Sequence, residues 1–189
     1  MIINTSIFKK QLYKVLRILG SLSFIRGGIR DRIIRTFANP ESIKNFKFKI
    51  HDYNGSIFEG NLNSYIDWYI YFYGGVEKPI LKDIYIPILN NSKSPTFIDI
   101  GANNGNHSIF LAKNCLKVLA YEPNKKVFNQ LKKQIELNKF KHFTLKNIAL
   151  GKSEERLTFY SNRNSNSGSC GFIKTNSANL KIEGKLNII

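Results

Sequence analysis

The sequence predicts an α/β protein: a Rossmann-like fold with a parallel sheet, preceded by a helical N-terminal extension. Three observations predict it. From Phe97 onward, short apolar runs alternate with amphipathic ones in a strand–helix–strand rhythm. Asp99 sits inside the first apolar run and is followed at once by Gly101 and Gly105, a Gly-x-x-x-Gly turn. A second carboxylate, Glu122, closes the next apolar run. In such sheets ligands gather at the carboxyl ends of the strands.

The elements are taken in chain order. From Phe8 to Leu19, the residues Phe8, Leu12, Val15, Leu16 and Leu19 share one helical face and the lysines fall off it. Gly27-Gly28 breaks the pattern, and Ile29–Phe37 reads as a second, short basic helix stopped by Asn39-Pro40. Phe46–Phe58 alternates as a hairpin turning at Asn54-Gly55. The aromatic-rich stretch after Ser64 is read as core, and Glu77–Leu89 as helical in spite of Pro79 and Pro87. Phe97–Ile100 is a strand, Asn106–Lys113 a helix and Lys117–Tyr121 a second strand. Lys125–Asn138 follows as a helix capped by Asn124, with Val127, Phe128, Leu131 and Ile135 on one face. Phe143–Leu150 is a third strand and Arg156–Tyr160 a fourth extended piece. The polar run after Ser161 reads as a loop.

Composition bounds the function. A chain of 189 residues with 42% hydrophobic and 13% aromatic content has a core to bury. The formal net charge of +16 invites nucleic acid or an anionic membrane as partner. Its distribution argues against nucleic acid: residues 1–50 carry 11 basic and 2 acidic side chains, residues 51–189 carry 18 and 11. Basicity thus gathers in the N-terminal helices, away from the glycine motif and without an aromatic-interleaved groove. The organisation expected is a basic amphipathic extension, 1–45, and a cofactor-binding domain, 46–189. Cys115 and Cys170 form no C-x-x-C pair and have no histidine at metal spacing, so neither a metal site nor a disulfide framework is expected. The N-terminus lacks the apolar run of a signal peptide, and a soluble, cytoplasmic protein is expected. Basic amphipathic stretches are drawn to anionic lipid, so residues 1–38 are also read as a membrane-surface contact.

The motif carries the chemistry. Gly101 permits a tight turn and a close approach of backbone to ligand. Glu122 follows it by 21 residues, the spacing at which a carboxylate takes the hydroxyls of an adenosine ribose. Dinucleotide sites place a second glycine where this chain has Ala102-Asn103, and a strand aspartate such as Asp99 repels a pyrophosphate. A carboxylate there suits a ligand with a positive end. S-adenosyl-L-methionine carries an ammonium and a sulfonium where NAD carries phosphates, and the Asn103 and Asn104 amides can serve its carboxylate.

Thr96–Lys113, VLAYEPN at Val118–Asn124, Leu131–Asn138 and NIALGKSEERLTFY resemble, in that order, the FkbM family of S-adenosylmethionine-dependent methyltransferases. YFYGGVEKPIL ahead of the motif strand fits the same pattern, and the likeness runs from about Ile66 to about Gly168. The resemblance implies a class I methyltransferase fold and O-methylation of a hydroxyl on a sugar, glycan or natural-product-like small molecule. It implies that Asp99, Gly101, Ala102, Asn103 and Gly105 line the methionine end, that Glu122 takes the ribose, and that Asn147 to Ala149 lie beside adenine. Glu77 and His107 are the ionisable candidates for a catalytic base. The family continues past its NSGS-like loop with an acidic D-x-E-G segment on a further strand. Lys181-Ile182-Glu183-Gly184 is read here as a coincidental likeness, so the sheet is expected to be incomplete at the C-terminus, with an open edge and exposed apolar surface. The alternative reading is a non-catalytic, truncated or degenerate domain that binds adenosine ligands, with a basic membrane- or RNA-docking N-terminus.

Overall fold

The computed structural model describes residues 5–162 and 180–188. The chain divides into two compact units, Met1–Phe48 with Gly60–Val76, and Lys49–Glu59 with Glu77–Ile189. The hairpin of β1 (Lys47–Tyr53) and β2 (Ser56–Asn61) has its base in the first unit and its tip in the second.

The first unit is helical. α1 (Thr5–Ser21) and α2 (Gly27–Phe37) pack with α3 (Tyr65–Tyr73). The aromatic stretch is core, as its density predicts: Trp68, Ile70 and Phe72 are buried, and the Trp68 indole donates to the Ala38 carbonyl at 2.6 Å. α3 starts at the Ser64 cap and ends at Gly74, whose φ of +78° gives the left-handed stop. α1 sits so close to α3 that a Cβ at Gly20 would lie 2.1 Å from the Phe72 carbonyl oxygen. That approach sets the buried face of α1 as Tyr13, Leu16 and Gly20. The face expected from periodicity is therefore rotated. Leu12 and Leu19 are only half-buried at its edge, while Phe8 and Val15 are exposed. Gly27-Gly28 opens α2 where a break was expected.

The second unit is mixed α/β, with a three-stranded parallel sheet in the order β3 (Thr96–Ile100), β4 (Lys117–Tyr121), β5 (Phe143–Lys146). The register pairs Asp99 with Ala120 and Ile100 with Tyr121, then Tyr121 with Lys146. Ahead of the sheet lie α4 (Lys78–Ile80), a π turn (Leu81–Tyr85) and α5 (Ile86–Asn90). The Ile86 N–H bonds five residues back, to Leu81, because the prolines disturb the ladder: Pro87 has no N–H to continue it. α6 (Asn106–Leu111) and α7 (Lys125–Asn138) connect the strands. Asn124 caps α7 as expected, accepting from the Lys126 and Val127 N–H groups.

Two polar residues of α7, the buried Gln134 and the half-buried Asn138, turn toward the hairpin. The Gln134 carboxamide exchanges both its bonds with the backbone of Glu59, and the Asn138 carboxamide does the same with Ile57 at 2.6 and 2.7 Å. Four residues apart on one helix face, they serve the edge of β2 as a neighbouring strand would.

Three expectations change. The third strand stops at Lys146, because the Asn147 side chain turns to the end of β4; it was expected to run to Leu150. The extended piece at Arg156–Tyr160 belongs to β6 (Glu155–Asn162), antiparallel to β7 (Leu180–Ile188), and these two form a sheet of their own. The segment Lys181-Ile182-Glu183-Gly184, read as a coincidental likeness with no strand assigned to it, lies in β7; a bulge lets Phe159 face Gly184 and Tyr160 face Ile182. Cys170 and the NSGS run lie outside the described residues. On one face of the parallel sheet Ile98 and Ile100 are exposed. Among the described residues, no helix is long and apolar enough to cross a membrane.

Candidate functional site

β3 delivers the chain into a turn that needs glycine at both ends. Gly101 has a φ of +78° and Gly105 one of +92°. The Gly101 and Ala102 N–H groups both donate to the Tyr121 carbonyl, at 2.9 and 3.0 Å, which stitches the turn to the end of β4. A Cβ on Gly101 would meet open space. One on Gly105 would lie 2.6 Å from Leu131 Cδ1 and 2.8 Å from Ile109 Cγ1, so Gly105 admits α7 against the start of α6.

Glu122 is the hub of the turn. Its Oε2 accepts from the Asn103 N–H at 2.8 Å and its Oε1 from the Asn124 N–H at 2.7 Å. Asn103 reaches that position with a φ of +49°, an uncommon conformation for a residue with a Cβ. Burial pushes the Glu122 carboxyl above its ordinary pKa; the two backbone bonds oppose the rise, and the Asp99 charge adds to it. Asp99 is also buried and also raised by burial, against hydrogen bonds from the Ser108 hydroxyl and backbone and the pull of His107. The Asn104 N–H donates to Asn103 Oδ1 at 2.8 Å.

The strand ends enclose a cavity of about 180 Å³ lined by Ile100, Gly101, Tyr121, Pro123, Ile148, Ala149 and Leu150. That is below the roughly 300 Å³ at which whole-ligand pockets begin. Gly101 and Ala149 of the expected site line it. Glu122 lies between two lining residues without lining it, and Asp99, Ala102, Asn103 and Gly105 lie outside the lining in the turn. Asn147 is committed to protein: its Nδ2 donates to the carbonyls of Glu122 and Pro123 at 2.8 and 2.9 Å. His107 Nε2 lies 3.3 Å from Glu77 Oε2, and Glu77 carries a φ of +57° at the start of α4. The structure thus gathers the turn residues around β4's end and pairs the two base candidates.

Sequence reasoning did not single out Ser108, Tyr121 or Leu150. The partnership of Ser108 with Asp99 spans nine residues and follows no motif. Tyr121 ends β4 and Leu150 lies beyond the end of β5, and no motif spacing marks either as a cavity wall.

Known proteins give no further guide: no family model matches the chain, and no curated protein matches it.

Proposed function

We propose that the chain is an S-adenosyl-L-methionine-dependent methyltransferase of the FkbM type, with a class I Rossmann-like domain, acting on a hydroxyl of a sugar or natural-product-like small molecule. One observation carries the reading: a buried carboxylate, Glu122, ends the strand next to a Gly-x-x-x-Gly turn and is held by that turn's own N–H group, beside a cavity at the strand ends. The motif order and the parallel β–α–β–α–β succession support it.

The residues fit the cofactor's charge. Among the described residues, the cavity wall has no lysine, arginine or histidine to neutralise a pyrophosphate. The two carboxylates of the turn, both reluctant to ionise when no cation is near, suit a positively charged ligand with hydroxyls to donate. Glu122 would take the ribose hydroxyls on the lone pairs its two backbone bonds leave open. Asp99 would face the positive end, and the wall from Ile148 to Leu150 would cover the base. When bound, the cofactor supplies a methyl group on a sulfonium that an acceptor oxygen can displace. The His107 imidazole would receive the acceptor's proton, with Glu77, 3.3 Å from its Nε2, stabilising the charge that results. Glu77 and Asn103 hold strained left-handed backbone, whereas Asn54 does so in a hairpin turn and Lys139 at a helix end.

The second reading is an adenosine-ligand-binding domain without turnover. Calorimetric titration with S-adenosylmethionine and, separately, NAD tests the proposal. Micromolar-range binding of the first alone is expected, and a preference for NAD would overturn it. Binding without methyl transfer to any hydroxyl acceptor would favour the second reading.

A further inference from the structure

α1 has two apolar arcs. One, with Tyr13, Leu16 and Gly20, is buried. At 3.6 residues per turn, Ile7, Phe8, Val15 and Ile18 fall on another arc about 100° wide. These four are 58 to 62% exposed. Lys10 and Lys14, both exposed, border that second arc. α2 repeats the arrangement: Ile29, Ile33 and Phe37 recur every four residues on an exposed line, with Arg26 and Arg32 exposed beside it. Between the helices Phe24 is 81% exposed. A surface helix ordinarily turns polar residues outward, so two such lines in sequence call for an occupant.

The charges say which occupant. Residues 1–38 contain a single acid, Asp31. Its carboxylate is taken by Arg35 at 2.6 Å and by the Tyr73 hydroxyl at 3.3 Å. Arg17 and Arg30 lie over the rings of Tyr71 and Tyr73, and Arg30 also donates to the Gly20 carbonyl. Lys9, Lys10, Lys14, Arg26 and Arg32 make no ion pair among the described residues. A second copy of this surface would bring like charges together. Nucleic acid would satisfy the cations and leave the isoleucines in water. An anionic bilayer supplies both halves: negative headgroups for the lysines and arginines, and acyl chains a short way below for the apolar line. Neither helix can span it, so both would lie in its surface.

We propose that α1, α2 and the Phe24 loop dock the protein on the surface of a bilayer containing anionic lipid. The proposal is independent of the function assigned to the glycine turn. The test is co-sedimentation of the full chain with vesicles of phosphatidylcholine alone or mixed with phosphatidylserine, at low and high salt. Binding to the mixed vesicles, weakened by salt, is expected. It should fall more than about tenfold in a Lys9→Glu, Lys10→Glu, Lys14→Glu variant, and also in an Ile7→Glu, Val15→Glu, Ile18→Glu variant. Should the second variant lose its cooperative melt, Phe24→Ser replaces it, because the loop position lies outside the core. No binding to mixed vesicles, equal binding to neutral ones, or full binding by the variants would overturn the proposal. So would vesicle-independent self-association abolished by the apolar changes, or RNA binding abolished by the lysine changes in a chain that ignores vesicles.

Discussion

In the first unit most charged side chains are cations kept at the surface or laid on ring faces, and its buried acid, Asp67, braces the Asn61 N–H at the end of β2; in the second unit the groups that organise the glycine turn are carboxylates withdrawn from water. Arg35 shows what the first arrangement allows: it stacks 4.8 Å from the Trp68 ring centre, bonds Asp31, and touches the hydroxyls of Tyr65 and Tyr69. A guanidinium among rings and oxygens stays charged when half-buried, and the net effect on Arg35 is a raised pKa despite its desolvation. Glu122 shows the second: two backbone N–H bonds do not offset its desolvation, and its pKa rises. The lesson is that a guanidinium is held charged by the groups around it, while the second unit keeps two acids in an environment that a bound cation would improve.

The largest expected effect lies in the first unit. Trp68→Ala removes a fully buried ring and leaves the Ala38 carbonyl without its donor, and should cost about 3–5 kcal/mol by urea denaturation. A loss under about 1 kcal/mol would mean that the aromatic cluster does not bear the unit's stability. In the second unit, Gln134→Ala strips both backbone groups of Glu59 of a partner and should cost about 2 kcal/mol in the same assay. Smaller and more discriminating is a comparison within the turn. Both glycines carry positive φ, but only Gly105 is crowded, so Gly105→Ala should cost about 1–3 kcal/mol and Gly101→Ala about 1 kcal/mol. Equal losses would contradict the packing role given to Gly105.

The pH dependence should be smaller still. Because burial raises the Asp99 and Glu122 pKa values, their protonated forms favour the fold. That contribution is complete below the unfolded carboxylate value, about 4, and is lost as pH rises through the raised folded values. Without ligand, melting temperature should therefore decline over that window, and Asp99→Asn should flatten the decline. An unchanged slope in the variant would show that Asp99 is not desolvated as described.

Much of this was legible in advance because local chemistry decides it. Lys117–Tyr121, Lys125–Asn138 and the Asn124 cap follow from apolar runs, helical spacing and a capping side chain. So does the Asn54-Gly55 turn, where both residues take positive φ. The misreadings share one cause, contacts distant in sequence. α1's buried face is turned by the Gly20–Phe72 approach, which periodicity alone does not contain. Leu180–Ile188 is a strand only through its pairing with Glu155–Asn162, and its alternation is masked by lysines and a bulge. Gln134 is inside because a strand edge needs its amide, and the sequence shows it only as a polar residue on a helix. In the site, the turn and its carboxylates were legible from spacing, whereas the cavity wall joins Ile100 and Tyr121, paired across two strands, to residues 148–150 beyond β5.

The account rests most heavily on Glu122 as the carboxylate that takes a ribose. The direct measurement is calorimetric titration of S-adenosylmethionine into wild type and Glu122→Ala, each first shown to melt cooperatively. Binding to wild type that falls at least about a hundredfold in the variant, a loss of roughly 2.7 kcal/mol, is the result predicted. Equal binding by both chains would contradict it and leave Glu122 as a brace for the Asn103 and Asn124 backbone alone.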